Sequence, residues 1–167
     1  MTPLPAIRSA RPDDAETLIA LSKRTIRTRY PSFLGEDAVR QYIDSGAVED
    51  YFQQNLARCS VVDEDGEIAG VGAYKAFSVD LMIIDTNRIG RGLGTRLLEH
   101  LEALLFGKSA ELTLESFALN ERANTFYLSR GWSEIDRYDE PEYGIPIILM
   151  GKRLAETTTQ GSIAPAH

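Results

Sequence analysis

Apolar and small residues first recur at helical spacing near the N-terminus, where Ala15, Leu18, Ile19, Ser22 and Ile26 fall on one face. Pro12, Asp13 and Asp14 precede them, a proline suited to a first helical turn and two acids that complement the helix dipole. Tyr30-Pro31 breaks this helix, and a second helical region follows with Val39, Tyr42 and Ile43, then Gly46, then Val48, Tyr51, Phe52 and Leu56. Beyond it the period falls to that of strands. Arg58 to Val62 reads as a strand, Asp63 to Gly66 as a hairpin turn with its Asp-Gly signal, and Glu67 to Lys75 as the partner strand. Val79 to Ile84 is almost wholly apolar and reads as a central strand. Leu93, Leu97, Leu98, Leu101, Leu104 and Leu105 mark the strongest helix, with Gly107 as its stop. Glu111 to Ser116 is a further strand, Asn120 to Arg130 a helix stopped by Gly131, and Trp132 to Tyr138 and Ile145 to Arg153 the last strands. Ala6 to Ala10 supplies a short first strand. This order predicts an α/β (α+β) fold, a mixed sheet with helices on both faces. One domain is expected over residues 1–154, and a disordered tail over 155–167, where no apolar face exists.

Length and charge narrow the class. A chain of 167 residues suits one domain. No apolar run approaches the roughly 18 residues needed to span a bilayer, and Met1 to Ile7 lacks the basic start and apolar stretch of a signal peptide. A cytoplasmic protein without a membrane partner is expected. A net charge of −7 argues against nucleic acid and permits cationic substrates. Cys59, the only cysteine, reads as a buried structural thiol. His100 and His167 have no Cys or His partner at ligand spacing, so no metal site is expected.

The segment Asn87 to Thr95 carries the candidate chemistry. It links an apolar strand to the leucine-striped helix and contains Gly90, Gly92 and Gly94. A helix start leaves four N–H groups unpaired, and no Ser, Thr, Asp or Asn stands immediately before Leu93 to cap them. Glycine there lets the backbone approach a ligand. These features make a phosphate site, to which Arg88, Arg91 and Arg96 add positive charge. No Lys-Ser or Lys-Thr follows, so it is not a nucleoside-triphosphate P-loop, and it lies too late in the chain for a dinucleotide motif.

With this loop the sequence resembles the GNAT superfamily of N-acetyltransferases. The family pattern Gln/Arg-x-x-Gly-x-Gly/Ala corresponds to Ile89-Gly90-Arg91-Gly92-Leu93-Gly94, with Ile89 in place of the usual Gln or Arg. A second pattern, Asn-x-x-Ala-x-x-Φ-Tyr-x-x-x-Gly-Φ, is matched by Asn120, Ala123, Phe126, Tyr127, Gly131 and Trp132. The resemblance implies a mostly antiparallel sheet of about seven strands, splayed at the cofactor site, and an enzyme that transfers acetyl from acetyl-CoA to a primary amine. The acceptor would be a small molecule, a peptide or a protein, and the resemblance leaves room for a homodimer. It further implies that backbone groups of Met82, Ile83 and Ile84 receive the pantetheine arm. Ile89, Gly90, Arg91, Gly92, Leu93, Gly94 and Thr95 would cradle the pyrophosphate. Asn120, Ala123 and Phe126 would contact the CoA arm.

Acetyl transfer needs a held cofactor, a polarised thioester, a deprotonated amine and a protonated leaving thiolate. By resemblance Tyr127 is the general acid. Asp80 is the first candidate base, its pKa rising if the apolar strand buries it. Glu115 on a neighbouring strand and ordered water are the alternatives, and Ser78, where some relatives carry glutamate, cannot serve. The segments Tyr30 to Leu56 and Tyr138 to Ile145 are expected to line the acceptor pocket. A non-catalytic acyl-CoA-binding module is the alternative of another class.

Overall fold

The computed structural model describes residues 3–155, so the expected tail lies, but for Ala155, outside the described residues. A seven-stranded sheet runs in the order β1-β2-β3-β4-β5-β7-β6. Its strands are β1 (Ala6–Ser9), β2 (Cys59–Glu64), β3 (Glu67–Lys75), β4 (Ser78–Ile84), β5 (Glu111–Phe117), β6 (Ser133–Asp139) and β7 (Pro146–Arg153). The helices are α1 (Ala15–Arg29), α2 (Pro31–Leu34), α3 (Glu36–Asp44), α4 (Ala47–Asn55), α5 (Leu93–Phe106) and α6 (Glu121–Leu128). All neighbouring strands pair antiparallel except β4 and β5, which are parallel. The expected mixed sheet with helices on both faces is therefore present, with strand ends within one or two residues of those read from the sequence.

Local chemistry sets these elements. Asp65 and Gly66 both take positive φ, 55° and 84°, as the two central residues of a primed hairpin turn must. Arg8 ties the first strand to the start of α1, its guanidinium donating to Asp14 at 2.8 Å and to Asp63 at 3.1 Å. Each sheet face then carries its own core. Leu18, Leu21, Val39, Ile43 and Phe52 of α1, α3 and α4 pack on Val61, Val71 and Ile83. Leu98, Leu101, Leu105, Tyr127 and Trp132 pack on Leu112, Leu114 and Met150 on the other face. Leu104, counted with the leucine stripe, is instead 44% exposed, because the stripe is narrower than the run of leucines. Cys59 is buried as expected, and burial pushes its thiol up to about 11.

Two irregularities position the site. β4 and β5 pair only at Ser78–Thr113 and Val79–Leu114, then separate. On the other edge of β4 the register slips: Ala73 faces Leu81 and Tyr74 faces Val79, so Asp80 is the extra residue of a β-bulge. Past Val79 one edge of β4 is bonded to β3 and the other is bare. Alternate N–H and C=O groups of a strand point to opposite edges, so Met82 to Ile84 offer polar backbone groups to the opening.

Candidate active site

Two cavities meet at the opening. The first, of about 360 Å³, lies over the start of α5 and includes Met82, Ile83, Ile84, Ile89, Gly90, Gly92, Leu93, Gly94, Thr95, Asn120, Ala123, Phe126 and Tyr127 in its wall. The second, of about 420 Å³, includes Asp80 and Glu115. Tyr30, Met82, Asn120, Ala123 and Tyr127 line both, which makes their shared wall the place where ligands from the two sides would meet.

The first cavity is built by backbone conformation. Gly90 and Gly92 have φ of +87° and +76°, and a Cβ on either would meet no protein atom within 4 Å. Glycine is required here by the left-handed conformation, which L residues resist. Gly92 occupies the N-cap of α5 and brings no side-chain hydrogen bond, so the first turn keeps free N–H groups directed at the cavity. Asp85 closes β4 from below: its N–H donates to the Ala69 carbonyl at 2.8 Å and its carboxylate accepts from the Asn87 N–H at 3.1 Å. On the opposite wall Asn120 caps α6, accepting from the Ala123 N–H at 3.4 Å. Gly131, at φ +89°, ends that helix region and lets the Trp132 N–H return to the Tyr127 carbonyl at 3.2 Å. Trp132 is 2% exposed, and its indole donates to Glu102 at 2.8 Å, which in turn accepts from Lys152 at 2.9 Å. This buried pair fixes the end of α6 that carries Tyr127.

Charge at the first cavity differs from the sequence expectation. Arg91 points away and pairs with Glu64 at 2.9 Å, and is absent from the wall. Arg88 reaches the wall but is engaged by Glu64 and Glu67, because the turn between β2 and β3 brings its acids under the loop. Arg96 lies outside the wall. Arg29, Arg122 and Arg130, none of them singled out by the sequence, line it instead. Arg130 lies over the Phe126 ring at 4.2 Å and donates to Thr95 Oγ1 at 2.8 Å. Arg29 has its pKa lowered, by burial first and then by the charge of Arg122. Thr25 and Tyr30 of the α1 end complete this group. No local pattern announces it, since the end of α1 reaches the cavity only through tertiary docking.

Tyr127 is 9% exposed, and its hydroxyl has no hydrogen-bond partner among the described residues. Burial, then the neighbouring Tyr30 phenol, raises its pKa, so it stays a neutral donor. Asp80, expected to be raised if buried, is exposed: the bulge turns it toward α4, where the Tyr51 hydroxyl donates to Oδ2 at 2.7 Å. Glu115 is likewise exposed and accepts from the Tyr138 hydroxyl, whose pKa is pushed up to about 12 mainly by that bond. Of the two segments expected to line the acceptor side, Tyr30 alone stands in the second cavity's wall, while Tyr51 and Tyr138 reach it through the carboxylates. Among the described residues there is no cluster of three or more His, Cys, Asp or Glu suited to a metal, and no helix long and apolar enough to cross a membrane.

A family model, the acetyltransferase (GNAT) domain, matches residues 18–154. The chain belongs to the GNAT acetyltransferase family. Among curated relatives, the peptidyl-lysine N-acetyltransferase YjaB of Salmonella typhimurium is 28% identical over 144 residues, which cover 86% of this chain and 94% of that protein. Solved GNAT structures share the fold. A GCN5-related N-acetyltransferase from Rhodopseudomonas palustris superposes with a TM-score of 0.77 at 20% identity, over 92% of this chain and 98% of the other. The PaiA N-acetyltransferase from Thermoplasma acidophilum, solved in complex with coenzyme A, gives 0.76 at 17% identity, over 90% and 99%. As a GNAT protein this chain is an acetyl-CoA-dependent acetyltransferase, and its mostly antiparallel seven-stranded sheet flanked by helices matches the fold of its structural neighbours.

Proposed function

We propose that the protein acetylates a primary amine by direct attack of the amine on the thioester of acetyl-CoA, at the junction of the two cavities. The observation that carries this reading is the bare edge of β4 past Val79 at the wall that Met82 and Tyr127 share between the two cavities, where the Tyr127 hydroxyl has no partner among the described residues. The first cavity suits the CoA moiety: free N–H groups at Gly92–Thr95 for the pyrophosphate, arginines for phosphate charge, and an apolar wall at Ile84, Ala123 and Phe126 for the pantetheine arm.

Acetyl-CoA supplies the acetyl group: a bond forms from the amine nitrogen to the carbonyl carbon as the carbon–sulfur bond breaks. A β4 backbone N–H at Met82–Ile84 polarises the carbonyl oxygen. Asp80 accepts the proton leaving the nitrogen, directly or through water. Tyr127 hydrogen-bonds the departing sulfur and gives it a proton, which solvent restores. The acceptor enters through the second cavity, which opens past Asp80 and Glu115. That the YjaB relative is named a peptidyl-lysine N-acetyltransferase supports an amine acceptor.

The test is a panel of amines and lysine peptides incubated with acetyl-CoA, with free CoA and acetylated product both measured. Stoichiometric appearance of the two is expected. Tight acetyl-CoA binding without product from any amine would overturn the reading.

A further inference from the structure

We propose that the acceptor is a primary amine whose chain carries a second positive charge, and that Glu115 selects it. This rests on the amine-acetyltransferase reading above and narrows its substrate class.

The second cavity contains two carboxylates, Asp80 and Glu115, and no Lys, Arg or His among the described residues of its wall. Their placement follows from the strand register. Val79 and Leu114 are the last paired residues of β4 and β5, so Asp80 and Glu115 are the next residue on each lip of the opening. Neither carboxylate takes part in an ion pair among the described residues. Each is held from outside by a phenol, Tyr51 on Asp80 and Tyr138 on Glu115. A phenol donor fixes a carboxylate without cancelling its charge. Two uncompensated negative charges therefore face one cavity of about 420 Å³. The wall of that cavity also includes Tyr127, a residue 9% exposed whose hydroxyl has no partner among the described residues and marks, on the reading above, where the reacting atoms lie.

One cation does not satisfy this arrangement. Asp80 stands two residues before Met82 on the strand whose bare edge faces the thioester, which places the reacting nitrogen on its side. Once that nitrogen gives up its proton, it is neutral and Asp80 holds the proton. Glu115 then remains charged and unpaired unless the substrate brings a second cation to the other lip. The cofactor cavity has the opposite sign, with Arg29, Arg88, Arg122 and Arg130 in its wall and no acid. The cleft is thus polarised end to end, and a dication entering from the acidic end is drawn by both carboxylates and repelled from the arginine end.

The chemistry fits a free diamine or a lysine beside another basic residue, and the experiment separates them. Wild-type kcat/KM is measured for 1,4-diaminobutane against n-butylamine, and for a lysine peptide with a neighbouring arginine against the same peptide with alanine. Acetyl-CoA affinity is measured by calorimetry alongside. A preference of about tenfold for the doubly charged member is expected in at least one pair, the worth of one charge-assisted contact. The pair that shows it names the source. Glu115→Gln should bring the ratio close to one by raising KM for the dication, and Glu115→Asp should restore much of it, whereas Asp80→Asn should lower kcat for every amine. Equal kcat/KM within both wild-type pairs overturns the inference and leaves the acetyltransferase reading standing. Acetyl-CoA binding with no amine acetylated overturns both. The wild-type comparison needs no variant to fold.

Discussion

At the scale of single residues, the proposed site turns on one hydroxyl and one backbone conformation. Tyr127 is packed by Phe126 and Trp132, with ring centroids 5.3 and 6.3 Å away, so the ring is fixed whether or not its oxygen is present. Tyr127→Phe should therefore keep the fold and the acetyl-CoA affinity while lowering kcat and kcat/KM together, by roughly 10²–10⁴-fold, as loss of a transition-state-only interaction does. Because burial raises this phenol's pKa, its ionisation should not limit the rate on the alkaline side below pH 10. Wild-type turnover in the variant, measured by CoA release, would make Tyr127 a packing residue. Gly92→Glu should abolish acetyl-CoA binding in a folded protein. The substituted residue would sit at φ +76°, costing about 1–2 kcal/mol, and would aim a carboxylate at the anion site. Circular dichroism and calorimetry together check it: unchanged affinity in the folded variant removes this loop from the cofactor site. Tyr127 and the glycines were readable in the sequence because each sits in a spaced motif. Arg29 was not, since the end of α1 joins the site from far away in the chain, and Tyr30 was expected only as part of a segment on the acceptor side.

At the scale of elements, the sheet was legible where its signals are local. Asp65-Gly66 announces the β2–β3 hairpin, and the apolar run Val79–Ile84 announces a central strand. The separation of β4 from β5 was expected only from family resemblance, and the bulge at Asp80 left no trace, because a strand apolar on both faces has no alternation to interrupt. That is why Asp80 was read as a candidate for burial and is in fact exposed, in the wall of the second cavity. The first strand offers an element-scale test. Arg8 joins β1 both to β2 and to the turn before α1, and its hydrogen bond holds the Asp14 carboxyl below its ordinary value against the opposing effect of burial. A depressed carboxyl pKa stabilises the fold above the unfolded value, near 3.9, and the contribution disappears as pH falls through the folded value. Asp14→Asn should thus cost about 1–2 kcal/mol at pH 7, and the gap to wild type should shrink in acid, at a pH well below the unfolded value near 3.9. Urea denaturation at the two pH values measures it, and a gap that persists in acid would assign the effect to packing.

At the scale of the molecule, charge is distributed against its own average. The chain carries a net charge of −7, yet the first cavity, the proposed cofactor site, is walled by Arg29, Arg88, Arg122 and Arg130 without an acid. Arg88 is compensated by Glu64 and Glu67, whereas Arg29 and Arg122 take part in no ion pair among the described residues. Arg29 is also partly desolvated and repelled by Arg122, which lowers its pKa. Like charges held together in this way cost stability in the ligand-free protein and return it when a polyanion binds. The two effects have opposite signs, which separates this arrangement from ordinary surface charge. Arg29→Gln should leave the melting temperature of the free protein unchanged or raise it, because a repulsion is removed. The same variant should bind acetyl-CoA about tenfold or more weakly, a phosphate–guanidinium hydrogen bond being worth about 1.5–3 kcal/mol. It should therefore show a smaller ligand-induced rise in melting temperature at equal acetyl-CoA concentration. Raising ionic strength from 0.1 to 1 M shortens the screening length from about 10 to about 3 Å, and should weaken the wild type more than the variant. Thermal melts with and without acetyl-CoA, at both salt levels, read all of these at once. A free variant that melts well below wild type, with an undiminished ligand shift, would place Arg29 in the packing of the α1 end instead of in the cofactor's charge field.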